Sequence, residues 1–159
     1  MADGLPRIRA LVAGDAPACD AVVASLPYHF GNADGRRECA EAVRSQAGLA
    51  AVEGDRVVEF LTVVHHFPET SEITWMAVHA GRRGRGIGRA LIQHLALQLR
   101  GQGRRLLLVL TVSSLAEEPG IDDGYHRTRA FYRSVGFVPA RELPDLWPDD
   151  KALLLAMPL

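Results

Sequence analysis

Between a strand-like segment and a periodic helical one lies Arg82-Arg83-Gly84-Arg85-Gly86-Ile87-Gly88-Arg89, with three glycines at alternate positions and four arginines around them. Glycine removes the Cβ atoms that would hold a ligand away from the backbone. A helix that starts at such a loop presents unpaired N–H groups and the positive end of its dipole. A phosphate or diphosphate suits that arrangement; an irregular loop of solvated arginines is the plain alternative. The spacing excludes the commoner phosphate loops. Counting from Gly81, Ile87 stands where a Walker loop needs lysine. A dinucleotide G-x-G-x-x-G begun at Gly84 meets Arg89, and one begun at Gly86 meets Leu91.

The elements that must position this loop can be read from hydrophobic period and from turn residues. Ile8 to Val12 reads as a strand, followed by a helix N-capped at Asp15 and running to about Ser25, where Pro27 stops it. A second helix is expected over Arg36 to Gln46. The runs Leu49 to Val52 and Arg56 to His66 flank the hairpin signal Glu53-Gly54-Asp55, and Glu72 to His79 follows the turn Phe67-Pro68-Glu69-Thr70. Ile87, Leu91, Leu95 and Leu99 recur every four residues, with Ile92 widening the stripe, so an amphipathic helix follows the glycine loop. The continuously apolar Leu106 to Val112 reads as a strand covered on both faces or lying mid-sheet. After an acidic loop from Ser113 to Gly124, Tyr125 to Val135 reads as a helix closed by Gly136, with strand-like Phe137-Val138 and a last strand over Ala152 to Met157. The order implies a mixed α+β sheet.

Two motifs in this order resemble one family. Met76 to Ile92 is similar to the acetyl-CoA-binding signature of the GCN5-related N-acetyltransferases (GNAT), with Arg83, Gly86 and Gly88 on its Gln/Arg-x-x-Gly-x-Gly/Ala core. Arg129 to Pro139 resembles that family's tyrosine-bearing helix and the Gly-Phe that enters the next strand. The resemblance implies a mostly antiparallel central sheet of six to seven strands, splayed between the fourth and fifth, with about four helices. It implies a single acetyltransferase domain over residues 1–159.

By the same resemblance, Met76, Ala77 and Val78 would hold the pantetheine arm and the thioester carbonyl. The segment Arg83, Gly84, Arg85, Gly86, Ile87, Gly88 and Arg89 would contact the cofactor, its amides from Arg85 onward taking the diphosphate. Tyr132 would protonate the departing thiolate, a role that suits a phenol. It is equally a residue type expected in a helix core beside Phe131 and Val135. Glu72 would be the general base, with a solvent-facing carboxylate as the alternative. Many relatives carry asparagine where Tyr125 stands, so that cofactor contact is open to Tyr125 or lost. The activity implied is transfer of acetyl from acetyl-CoA to a primary amine of a small molecule or peptide, by direct attack and without a metal. An inactive acyl-CoA-binding module is the alternative.

Composition narrows the rest. Of 159 residues, 48% are hydrophobic and 23% charged, which excludes a disordered chain. Eighteen Lys and Arg against 19 Asp and Glu leave a net charge of −1, so no global field favours a nucleic acid. Neither a signal-like h-region nor a membrane-length apolar run occurs, and the chain is read as cytoplasmic with no membrane partner. A homodimer is compatible with the sequence. Cys19 and Cys39 lack zinc-ligand spacing and read as reduced, buried thiols. The acceptor would meet the loops around Tyr28, His29, Phe30 and Trp147, with Glu117, Glu118, Asp122 and Asp123 nearby in sequence. Asp122, Asp123 and His126 resemble metal ligands in residue type alone, and no metal is expected.

Overall fold

Asn32 sets an element boundary through its side chain: its Oδ1 accepts from the amides of Asp34 at 2.8 Å and Gly35 at 3.4 Å. This is an N-cap. The second helix therefore begins at Ala33, three residues before the expected Arg36. The computed structural model describes residues 4–114 and 124–159. Its strands are β1 (Arg7–Ala10), β2 (Ala47–Glu53), β3 (Arg56–Phe67), β4 (Thr70–Val78), β5 (Leu106–Val112), β6 (Val138–Leu143) and β7 (Ala152–Pro158). Its α-helices are α1 (Ala16–Ala24), α2 (Ala33–Ser45), α3 (Ile87–Gly101) and α4 (His126–Ser134). Seven strands and four α-helices among the described residues make the α+β fold that the sequence implied. The described residues fall into two units, one running to Val64 and including Ile73–Gln98, the other formed by His65–Glu72 and Leu99–Leu159.

In the first unit, β1 pairs antiparallel with β2 from Arg7↔Val52 to Ala10↔Leu49, and β2 pairs antiparallel with β3 from Ala47↔Val63 to Glu53↔Arg56. Gly54 turns the β2–β3 hairpin at φ 60°, a conformation that disfavours a side chain. Helices α1 and α2 bury Cys19, Val22, Cys39 and Val43 against Ala50, Val52, Val57, Phe60 and Ala77 of the strands. Burial pushes both thiols up to about 12, which leaves them protonated and inert near neutrality. Asp15 precedes α1 but does not cap it through its side chain. Its carboxylate instead takes both Arg9 guanidinium nitrogens, at 2.7 and 2.8 Å, and the Val12 amide at 2.9 Å. The Arg9 hydrogen bond holds the Asp15 carboxyl below the usual carboxylate range. With Val12 drawn into this contact, β1 stops at Ala10. The α3 stripe residues Ile87, Leu91, Ile92 and Leu95 are buried, at 3% exposure or less.

In the second unit, β5 pairs antiparallel with β7 from Leu106↔Pro158 to Val112↔Ala152, and β7 pairs antiparallel with β6. The β6 register shifts between Pro139 and Arg141. Proline has no N–H to give to a ladder. Leu107, Val109 and Thr111 are buried while Leu106, Leu108 and Leu110 are half-buried, so β5 alternates more than its apolar run suggested. The tip of the β3–β4 hairpin is tied down by amides of Arg105 and Leu106 donating to the Glu69 carbonyl, at 2.8 and 3.0 Å. Buried Arg129 of α4 donates to the Val112 carbonyl at 3.0 Å. Gly136 closes α4 at φ 113°.

Candidate active site

The loop after β4 is built in two parts. The first, Ala80–Arg82, is a single 3₁₀ turn fastened on every side. The His79 amide donates to the Val58 carbonyl at 2.8 Å, and the His79 ring Nδ1 accepts from the Gly81 amide at 3.1 Å. The Ala80 amide donates to Ser25 Oγ at 3.1 Å, and Arg82 Nε donates to Glu53 Oε2 at 2.7 Å. The second part changes character. Gly84 and Gly86 adopt φ values of 75° and 76°, and an added Cβ at either would meet nothing within 4 Å. These glycines are required by backbone conformation rather than by crowding, since left-handed φ strains any other residue.

Helix α3 opens at Ile87, and the Ala90 amide reaches the Gly86 carbonyl at 3.1 Å. Arg83, Gly84, Arg85 and Gly86 are exposed, Gly88 is half-buried, and Ile87 is buried as the first residue of the α3 stripe. Such a terminus offers backbone donors and a positive dipole end to an anion. Of the arginines, Arg82 is engaged by Glu53, and Arg83 Nη2 lies 3.4 Å from His29 Nδ1. Arg85 lines a recess of ≈ 200 Å³ with Gly4, Leu5, Pro6, Glu53 and Ile87. Arg89 is exposed on the first turn of α3. Upstream on β4, Ala77 is buried and Met76 and Val78 are half-buried. The bare, bent backbone, the helix start and the surrounding arginines fit the diphosphate that the sequence implied.

The two expected proton-handling residues lie in contrasting settings. Glu72 opens towards the β3–β4 turn, with its side chain 18% exposed and its Oε2 2.5 Å from Nε2 of His66. Adjacent His65 Nδ1 lies 2.8 Å from Ser71 Oγ. Burial, and then the nearby Arg104 charge, lower the pKa of His65. Tyr132 is buried in α4, its ring 5.4 Å from Phe131 and 5.4 Å from Phe137 between centroids. The Phe137 amide donates to the Tyr132 carbonyl at 3.0 Å, so the Gly136 turn folds Phe137 back onto that ring. Tyr125 stands at the N-cap of α4 without capping it through its side chain, and its carbonyl accepts from the Arg129 amide at 2.9 Å.

Of the acceptor-loop aromatics, Tyr28 is exposed and meets His29 edge-on at 5.5 Å, while Phe30 stacks obliquely on Trp75 at 5.9 Å. Trp147 is half-buried, and Glu117, Glu118, Asp122 and Asp123 lie outside the described residues. No group of three or more metal-ligating side chains occurs among the described residues. None of the described helices is long and apolar enough to cross a membrane.

Sequence reasoning missed several groups around these residues. Glu53, His79 and Ser25 fix the turn before the glycines, and nothing local marks Glu53 or Ser25 for that role. His66, the partner of Glu72, reads in sequence as the end of a strand. Glu59 interrupts the apolar run Val57-Val58-Glu59-Phe60-Leu61, the one signal that it is unusual. It is 1% exposed, its Oε2 has no hydrogen-bond partner, and burial pushes its carboxyl up to about 8.

Comparison with known proteins gives one consistent picture. The sequence profile of the acetyltransferase (GNAT) domain matches residues 44–139, more than half of the chain. No curated protein sequence matches. Among solved structures, a ribosomal-protein-S18-alanine N-acetyltransferase from Escherichia coli superposes with a TM-score of 0.76 at 19% identity, covering 96% of this chain and 92% of that one. A GNAT family acetyltransferase from Elizabethkingia anophelis with acetyl-CoA bound gives 0.75 at 18% identity, over 99% and 100% of the two chains. The aminoglycoside 6'-N-acetyltransferase from Enterococcus faecium gives 0.71 at 18% identity, over 96% of each. At these identities the likeness is one of fold.

Proposed function

The chain belongs to the acetyltransferase (GNAT) family, and from that premise we propose that it is an N-acetyltransferase that uses acetyl-CoA to acetylate a primary amine of a small molecule or peptide, working as a single domain. The observation that carries this reading is the backbone of Gly84 and Gly86, bent into left-handed φ where β4 hands over to the start of α3. A neighbour of the same fold holds acetyl-CoA and others act on aminoglycosides and on a ribosomal protein's alanine, which supports the cofactor and the amine class.

Acetyl-CoA supplies an activated thioester. The amides from Arg85 to Arg89, the dipole of α3 and the arginine side chains hold its diphosphate. Backbone groups of Met76, Ala77 and Val78 are assigned to the arm, and the Val78 amide to stabilising negative charge at the reacting carbonyl. Glu72, its carboxylate oriented by His66, takes a proton from the acceptor ammonium, and the neutral nitrogen then attacks the acetyl carbonyl carbon. Tyr132 donates to the departing sulfur, which carries charge as the bond to the acetyl carbon breaks. Neither cysteine is a nucleophile in this scheme, because both thiols are buried and protonated near neutrality. Holding both reactants together replaces covalent catalysis.

A thermal-shift series with acetyl-CoA, CoA and NAD tests the cofactor before an acceptor is known. A ligand at a hundred times its dissociation constant adds about 2.7 kcal/mol of stability. Stabilisation by acetyl-CoA and CoA but not NAD is expected, and no shift with either would end the reading. Thiol release over a panel of polyamines, aminoglycosides and N-terminal peptides then tests turnover. Binding with no turnover across the panel would make the chain a cofactor-binding module.

A further inference from the structure

The glycine loop needs a fixed base, and its base is held by a residue far away in sequence. Glu53 ends β2, and its Oε2 accepts from Arg82 Nε at 2.7 Å, with the two side chains 32% and 35% exposed. The same glutamate borders the recess that Arg85 and Ile87 line, so it faces both the turn before the glycines and the start of α3. Two further ties, Ala80 to Ser25 and Gly81 to His79, hold the same turn. Beyond Arg82 the chain enters Arg83 in extended conformation and then two glycines in left-handed φ. Glycine carries the largest conformational entropy of any residue, so this stretch would be costly to order at the moment of binding. Four arginines within eight residues also repel one another unless a carboxylate compensates.

We propose that Glu53 is a positioning residue for cofactor binding: through Arg82 it anchors the loop so that the amides from Arg85 onward are arranged before the diphosphate arrives. This rests on the acetyl-CoA reading above. Arg82 is thereby committed to the protein. No bond is made or broken, and the effect is one of pre-organisation.

Calorimetric titration of the full chain with CoA and with pantetheine, which lacks the diphosphate, separates the outcomes. Glu53→Gln should weaken CoA roughly fivefold, the modest effect of a part-exposed ion pair. It should leave pantetheine affinity unchanged, and in turnover it should raise KM for acetyl-CoA while sparing kcat. Arg82→Gln should match it, and the double variant should lose no more than either alone, because both break one contact. Unchanged or tighter CoA binding by Glu53→Gln would overturn the proposal, as would equal weakening of pantetheine or additive losses in the double variant. Failure of the wild-type chain to bind CoA would instead remove the cofactor reading itself.

Discussion

Glu59 on β3 and Glu72 on β4 are the same side chain in opposite settings. Glu72 keeps 18% of its side chain exposed and shares a hydrogen bond with His66. Glu59 is 1% exposed, with an oxygen that no group satisfies, and its carboxyl is raised to about 8 by desolvation alone. Phe60 beside it belongs to the core under α1 and α2, so Glu59 projects to the other face of the strand. A perturbed acid is often a functional signal, but catalysis also needs access to the proton being moved. Only Glu72 has both a route to solvent and a partner to orient it. The proton affinity of an acid and its availability for chemistry are set separately.

Tyr132 extends the comparison, being buried like Glu59 yet held by aromatic neighbours, and its removal should give the largest effect. Tyr132→Phe keeps the ring contacts with Phe131 and Phe137, so folding and acetyl-CoA affinity should persist while kcat falls by roughly ten- to a thousandfold. Steady-state thiol release checks this, and unchanged turnover would retire the phenol. Next comes the contrast itself. Glu72→Gln should lower kcat about a hundredfold with little change in acetyl-CoA binding, whereas Glu59→Gln should stay within about twofold of wild type. The reverse ranking would break the comparison and move the base to the sheet interior.

The third effect is on stability. Glu59 has a folded pKa near 8 against an ordinary 4.5, so between these values the folded chain holds a proton that the unfolded chain has released. Its contribution is fully present below 4.5 and is lost as pH rises towards 8, with a slope approaching about 1.4 kcal/mol per pH unit. Denaturant unfolding from pH 5 to 8 should show this decline in the wild type and a flatter curve in Glu59→Gln. Parallel curves would mean that water reaches the carboxylate.

Much of the fold was legible because its signals are local. The four-residue stripe from Ile87 to Leu99, the glycine that closes α4 and the Gly54 hairpin each depend on a few neighbouring residues. Boundaries moved where a side chain found a partner that the local pattern did not advertise. Asp15 looked like a cap, but Arg9 competed for its carboxylate. Asn32 caps α2 three residues upstream of the expected Arg36. In the candidate site the glycines were legible for the same reason as the hairpin, whereas Glu53, His66 and Ser25 were not. Each acts across a sequence separation that no periodicity encodes.

The order of residues by itself determined the elements, the family and the place where backbone could lie bare before a helix, because φ preference, helical period and glycine chemistry operate within a turn or two of chain. Packing in three dimensions settled which carboxylate is orphaned and which is partnered, and that Arg82 pairs with Glu53. Those outcomes depend on desolvation and on through-space contacts, and both exist only once distant segments have been packed together.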